Sequence, residues 1–293
     1  MINSLEYPEV KTTKDFLKDI FSSEENLLWG FENHSDDKKL EELFENYTWK
    51  CSNIISRGLQ LKIFFNKILS QNGENATILF NMKGNSNFIC INKKFLGNEY
   101  NKIDKRIENL LKDTKFSFNV GSELKLFYIH NKSKPNWKIL NEYNILNWNS
   151  AGYDPCDDYN QFLLTLLEEY RNYDGYVFEE LTNKKLFNGV GEYLRCEILD
   201  RININPFKRL KDLTETEIIK LAKEVKNCCL TSYGLLRLHS FKDYEYNPTN
   251  LLNWLQCYDK KDKKRIKYKN SYFWFDEEKW KLPDELNENI ERE

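Results

Sequence analysis

Phe187-Asn188-Gly189-Val190-Gly191-Glu192-Tyr193-Leu194-Arg195-Cys196-Glu197-Ile198-Leu199-Asp200-Arg201-Ile202-Asn203-Ile204-Asn205-Pro206 is the stretch on which the fold turns. It opens on a Gly-x-Gly turn and runs into a helix from Glu192 to about Arg201, with Tyr193, Ile198 and Leu199 inward. The helix must stop before Pro206, because the residue preceding a proline is pushed out of the helical region. Downstream, Thr214 with Glu217 has the spacing of a capping box, and Ile218, Leu221, Ala222 and Val225 follow on one helical face. Upstream, Asp154 ahead of Pro155 reads as a turn or cap residue. Asp158 with Gln161 then opens a helix striped by Phe162, Leu163, Leu166, Leu167 and Tyr170, and a second helix ends at Lys185. The centre of the chain is therefore helical.

The flanks differ from it. An extended Leu5 to Val10 precedes a short helix capped by Thr12 with Asp15, whose buried face is Phe16, Leu17, Ile20 and Phe21. From Leu59 the period becomes that of strands. Leu61, Ile63 and Phe65 alternate, Asn72-Gly73 turns the chain, and Ile78, Phe80 and Met82 run to Gly84. Phe88 to Ile91 and Leu124 to Ile129 are further strands, so this half is β-rich with a helix against it. In the tail, Leu251 to Tyr258 is apolar and aromatic and Lys260 to Arg265 is basic. Ile266 to Tyr268, a Lys269-Asn270 turn and Ser271 to Phe275 then form a two-stranded ribbon, and the acidic end past Trp280 frays.

A chain of 293 residues suits two domains of roughly 100–150 residues each. With 40% hydrophobic and 31% charged residues it has material for a buried core and is no disordered tract. Lys+Arg 44 against Asp+Glu 46 excludes a uniformly basic protein, though not a basic face on a neutral body. No apolar run nears the roughly 18 residues of a membrane span, and Met1 to Glu9 does not read as a secretory signal. The expected setting is thus intracellular: cytoplasmic, or nucleoid or nuclear. Seven scattered cysteines read as free thiols, and three histidines with Cys257 build no metal site, so no metal or cofactor is expected.

The Gly-x-Gly turn, the Glu-Ile-Leu face and the Asn-Pro stop together resemble the helix-two-turn-helix of the formamidopyrimidine-DNA glycosylase and endonuclease VIII family. Pro8-Glu9-Val10 is similar to that family's opening, Ser56-Arg57-Gly58 to its strand entry and Asn81-Met82-Lys83-Gly84 to a strand end. Residues 251–275 resemble its finger in the zincless version. The resemblance implies an α+β fold. Residues 1–149 would be an N-terminal β-sandwich with flanking helices, 150–245 the helix-two-turn-helix domain, 246–282 a zincless β-ribbon finger and 283–293 an acidic tail. Duplex DNA, including lesion-bearing DNA, would lie between the halves of a monomer, with a protein partner left open. Amides at Gly189 to Gly191 would hold one phosphate and the basic ribbon approach another. The DNA-binding candidates are accordingly Arg57, Met82 as an inserted wedge, Gly189, Gly191, Lys264, Arg265, Lys267 and Lys269. Met82 on an alternating strand also reads as core, and Tyr193 as a packing residue.

The resemblance also implies chemistry that the residues do not supply. The family attacks the sugar with an N-terminal proline amine beside a glutamate. Here Leu5 falls on the proline and Glu6 on the glutamate, and Ile2 is bulky enough to keep Met1 in place ahead of them. The phosphate-contacting lysine is matched by Leu59, the asparagine after Gly-x-Gly by Glu192, and the finger arginine by Asn270. No Arg-x-Phe follows Leu124 to Ile129 to complete the wedge. The structural residues are kept and the chemical ones replaced. Three functions fit: a DNA-binding protein on a glycosylase/AP lyase scaffold whose Schiff-base chemistry is lost; an active enzyme using Glu6 with water, or a relocated amine such as Lys11 or Lys83; and a protein-interaction module that has left DNA. Enzymatic activity is left undecided between them.

Overall fold

Helix α1 (Tyr7–Ile20) begins earlier than the Thr12 capping box predicts. Its start is set by Glu9, whose Oε2 accepts the Glu6 backbone N–H at 3.0 Å, while Pro8 sits in the first turn where a missing N–H costs nothing. Thr12 and Thr13 are consequently buried inside the helix. The computed structural model describes residues 6–22, 27–45, 47–68, 75–82, 86–92, 109, 111–130, 136–140, 148, 152–237, 249–269 and 271–287. These group into two compact units. Residues 10–148 make a sheet unit, and residues 6–9 join 152–237 and 249–287 in a helical unit.

The sheet unit follows α1 with β1 (Leu28–Asn33), α2 (Lys38–Phe44), β2 (Trp49–Arg57), β3 (Gln60–Lys67), β4 (Asn75–Asn81), β5 (Asn87–Asn92), β6 (Thr114–Val120), β7 (Leu124–Ile129) and β8 (Trp137–Leu140). The strand order is β5-β7-β6-β1-β2-β3-β4-β8, antiparallel at every pairing. Between β1 and β2 the ladder narrows to Leu28↔Trp49, and there the sheet folds over on itself. The rings prove the fold-over: Phe80 on β4 lies 5.1 Å from Phe88 on β5 and 4.9 Å from Tyr128 on β7, strands far apart in the order. Phe65 on β3 likewise faces Phe118 on β6, and Trp137 on β8 meets Phe116 and Tyr128 edge-on. Two layers closing on an aromatic core are the expected β-sandwich.

The alternating Leu61, Ile63 and Phe65, and Ile78 and Phe80, all point into this core. Strand β1 escapes sequence reading because Gly30, at φ +57°, sits in a register shift between Trp29 and Glu32 that breaks the alternation. The Asn72-Gly73 turn lies outside the described residues.

The helical unit contains α3 (Tyr159–Glu169), a 3₁₀ turn (Tyr170–Asn172), α4 (Val177–Glu180), α5 (Glu192–Ile202), a second 3₁₀ turn (Leu210–Asp212), α6 (Glu215–Arg237), α7 (Thr249–Trp254), β9 (Lys264–Tyr268), β10 (Ser271–Phe275) and α8 (Asp284–Asn287). The Thr214 box forms as read: the Thr214 N–H reaches Glu217 Oε2 at 2.8 Å and the Glu217 N–H returns to Thr214 Oγ1 at 3.2 Å. Asp158 precedes α3 but its carboxylate makes no capping bond. Asp154 takes that part instead, accepting the N–H groups of Cys156 and Asp157. The helix expected to end at Lys185 ends at Glu180, and turns fill the remainder. The acidic end is not frayed throughout, since Leu286 is buried and Glu285 accepts the Tyr176 hydroxyl at 2.6 Å. One apolar core runs through this unit from Tyr7 to Leu286 and includes the ribbon residues Ile266, Phe273 and Phe275. Truncating Phe80 to alanine removes the ring that joins the two sandwich layers. Urea unfolding is expected to show a loss of about 3–5 kcal/mol from the sheet unit.

Candidate functional site

The residues singled out by the motif converge at the N-terminal end of α5. Glu6 is fully buried, and its carboxylate accepts three backbone N–H groups there: Gly191 at 3.1 Å, Tyr193 at 2.8 Å and Leu194 at 3.1 Å. These are donors a helix leaves unpaired in its first turn, and the dipole favours an anion beside them. The Tyr7 N–H donates to Gly189 O at 2.9 Å, so the N-terminal segment is pinned to the turn twice. Each glycine then has a distinct cause. Gly189 adopts φ +97°, which other residues avoid. A Cβ on Gly191 would lie 2.6 Å from the Glu6 carboxyl carbon. Where the sequence reading expected a phosphate at Gly189 to Gly191, the group that accepts the Gly191 N–H is the chain's own Glu6.

Behind Glu6 lies a second buried carboxyl, Glu9, which accepts the Tyr193 hydroxyl at 3.1 Å. Burial raises the proton affinity of Glu6 well above the ordinary carboxyl range, and the Glu9 charge adds to it, against the pull of the three N–H donors. Burial likewise pushes Glu9 up to about 7. Leu5 and Lys83 lie outside the described residues, as does Asn270.

Helix α5 carries two more buried charged groups that the sequence reading passed over. Glu197 Oε1 accepts the N–H groups of Gln256, Cys257 and Tyr258 at 3.1, 2.8 and 2.9 Å, and Arg201 pairs with its other oxygen. Arg195 places its guanidinium near the rings of Phe178 and Phe273 and donates to Phe178 O at 3.3 Å, Ser271 Oγ at 3.0 Å and Tyr272 O. Their signal was an i, i+2 acid and base inside an otherwise apolar helix, which only a partner-rich setting tolerates.

The ribbon carries its candidates as follows. Cross-strand pairs run from Ser271↔Tyr268 to Phe275↔Lys264, and Lys269 turns the chain at φ +54°. Lys264 pairs with Glu277 and Lys269 with Glu179, while Lys263 lies 3.0 Å from Asp276. Arg265 is exposed with its guanidinium 4.8 Å from the Tyr272 ring centroid, and Lys267 is half-buried beside it in sequence. Within the basic approach, Lys263 and Lys264 are thus paired with carboxylates of this chain. Such exposed pairs contribute about 0–1 kcal/mol, so a phosphate can exchange for them. Glu192 does not face a phosphate site: its Oε1 accepts the Tyr272 N–H at 3.1 Å.

In the sheet unit, Arg57 is half-buried at a two-residue hairpin where Gly58 takes φ +54° and Leu59 is buried. Met82 has no exposed surface, and its N–H donates to Leu59 O at 2.8 Å. That burial is the core placement the alternating strand also allows. Lys62, not singled out by sequence, is fully buried with its ammonium 4.3 Å from the Trp148 ring centroid. All seven cysteines are free thiols, and burial pushes Cys90 and Cys196 up to about 12. Among the described residues no group of three or more His, Cys, Asp and Glu is placed to hold a metal ion. No described helix is long and apolar enough to cross a membrane.

Comparison with known proteins agrees with this geometry at the level of fold. No family model matches the chain. Human "Endonuclease 8-like 1" is 29% identical over 99 residues, 32% of this chain and 24% of that protein. The "Formamidopyrimidine-DNA glycosylase" of a Wolbachia of Brugia malayi is 31% identical over 157 residues, 53% of each chain. The chain thus spans between a quarter and about half the length of these relatives. Among solved structures, MutM in complex with DNA containing carbocyclic 8-oxo-G superposes with TM-score 0.72 at 17% identity, covering 94% of this chain and all of that one. The Lactococcus lactis formamidopyrimidine-DNA glycosylase bound non-covalently to DNA with an AP site gives 0.71 at 16%, with the same coverage.

Two results are expected from the Glu6 pocket. Gly191→Ala forces the carboxylate off the α5 terminus and lowers stability by about 2–4 kcal/mol in urea unfolding. Combined with Glu6→Ala it costs less than the sum, because the methyl enters space the carboxylate has left. The raised Glu9 value means that the folded state holds a proton the unfolded chain releases at about 4.5. That contribution is full below about pH 4.5 and is lost as pH rises through about 7. Melting temperature measured from pH 5 to 8 should fall for the native chain and fall less for Glu9→Gln.

Proposed function

We propose that this chain, a remote relative of the formamidopyrimidine-DNA glycosylase and endonuclease VIII family by fold and by sequence, binds damaged or unusual duplex DNA without that family's proline Schiff-base chemistry. The observation that carries the proposal is the state of Glu6. Both carboxyl oxygens accept helix N–H groups and the residue is fully buried, so it serves as a structural acceptor rather than a proton carrier open to a substrate. The residue before it, Leu5, has no amine to add to a sugar carbon. DNA contact would come through ribbon cations Arg265, Lys267 and Lys269, with phosphates displacing the Glu179 and Glu277 carboxylates from Lys269 and Lys264. The zincless ribbon belongs to the same proposal, since apolar packing and α5 side chains support it. So does an intracellular setting in contact with DNA.

A second reading rests on the same residue. A carboxyl whose proton is held well above the ordinary range has the property of a general acid, and an enzyme using Glu6 with water would need it. One experiment separates the readings. Labelled duplexes carrying an abasic site, an oxidised pyrimidine or a formamidopyrimidine are titrated with protein over a salt series, with borohydride in one arm. Binding that weakens by about tenfold or more between 50 and 200 mM salt, with no nick and no trapped adduct, is the expected result. A trapped adduct, or base release abolished by Glu6→Gln, overturns the loss of chemistry. Binding absent or indifferent to salt leaves the interaction-module reading.

A further inference from the structure

Strand β10 has β9 on one side, and the backbone of Tyr272 and Trp274 on its other edge is met by side chains rather than by a third strand. Tyr272 N–H donates to Glu192 Oε1 at 3.1 Å, and Tyr272 O accepts from the Arg195 guanidinium. Trp274 N–H donates to Cys196 Sγ at 3.4 Å, and Trp274 O accepts the Cys257 thiol at 3.2 Å. Three of these four partners, Glu192, Arg195 and Cys196, stand on one turn of α5. An open strand edge ordinarily exposes unpaired N–H and C=O groups to water. Here the edge is sewn to a helix residue by residue. Arg195 is 98% buried, yet its hydrogen bonds go to two carbonyls and a hydroxyl, not to a carboxylate. Among the described residues no carboxylate pairs with it; a buried guanidinium so placed is costly, and its placement is explained if the ribbon's position depends on it.

We propose that Glu192 and Arg195 are positioning residues: together they clip the Tyr272 backbone and hold the ribbon, with Arg265, Lys267 and Lys269, in one fixed attitude on α5 for contact with nucleic-acid phosphates. This rests on the DNA-binding reading above. It assigns Glu192, which its charge alone would mark as a repellent of DNA, the opposite effect on affinity. A ribbon free to swing would lose its cations as a set. Each would still attract phosphate, but ordering the ribbon would have to be repeated at every binding event.

The test uses the full chain with Glu192→Ala, Glu192→Gln, Arg195→Ala and Arg195→Lys. Two quantities are read: hydrogen exchange of the Tyr272 and Trp274 amides in the free protein, and the salt dependence of affinity for an abasic-site duplex. Glutamine keeps the acceptor and loses the charge, so Glu192→Gln should preserve both amide protection and affinity within about twofold. Glu192→Ala should speed Tyr272 exchange by about tenfold, weaken binding by about fivefold and reduce the salt slope by about one phosphate contact. Arg195→Lys, which can reach one carbonyl but not all three acceptors, should fall between native and Arg195→Ala. Unchanged Tyr272 protection in Glu192→Ala overturns the clip. Tighter binding in both Glu192 variants overturns the positioning role and makes Glu192 a repellent. If the native chain shows no salt-dependent binding, the DNA reading fails, and amide exchange alone decides whether the clip exists.

Discussion

The helical unit depends on a carboxylate sitting at the start of α5. The N–H groups of Gly191, Tyr193 and Leu194 have no intrahelical acceptor, and Glu6 supplies one for all three. Burying that charge is expensive, and the pocket compounds the cost by placing Glu9 behind it. What offsets the cost is geometry: three convergent donors at the positive end of a helix, reached at short range because Gly191 has no side chain. The same segment is held by the Tyr7 N–H on Gly189 O and by Glu9 on the Tyr193 hydroxyl.

The rest of α5 repeats the device in other forms. From Tyr193 to Leu199 every residue is buried, a pattern that belongs to a helix surrounded on all sides. Two of those residues are charged, and each is met by backbone groups. Glu197 gathers the amides that follow α7, and Arg195 gathers the carbonyls at α4 and β10. Glu197 is met on both carboxylate oxygens, while Arg195 bonds through its two terminal nitrogens and its buried Nε has no partner among the described residues. The ribbon, too small to be stable by itself, gains its order from this helix.

Function follows from what these commitments leave over. The helix terminus that could have received a phosphate is already filled by Glu6, and Glu192 is turned to the ribbon backbone. The cations that remain lie on the ribbon, several held in surface ion pairs that salt or a phosphate can exchange. On the DNA-binding proposal above, these exchangeable ribbon cations would be the groups that meet nucleic-acid phosphates.

Much of the helical unit was legible from residue spacing alone. The Thr214 and Glu217 box, the α5 limits, the Ile218 to Val225 face and the two ribbon strands all arise from contacts a few residues apart, so local pattern determines them. The sandwich strand Leu61 to Phe65 was legible from alternating apolar residues, and Leu124 to Ile129 from its short apolar run. Irregular pieces were not. A bulge hid β1, and the Thr12 box was overridden by a glutamate three residues from Glu6 that starts α1 earlier. The family resemblance could mark Gly189, Gly191 and Glu6, but not say that Glu6 caps the start of α5, since that bond spans 185 residues. Nor could charge say which way Glu192 points. Those outcomes depend on which backbone donors and acceptors are brought together at a distance, and only the tertiary structure brings them there.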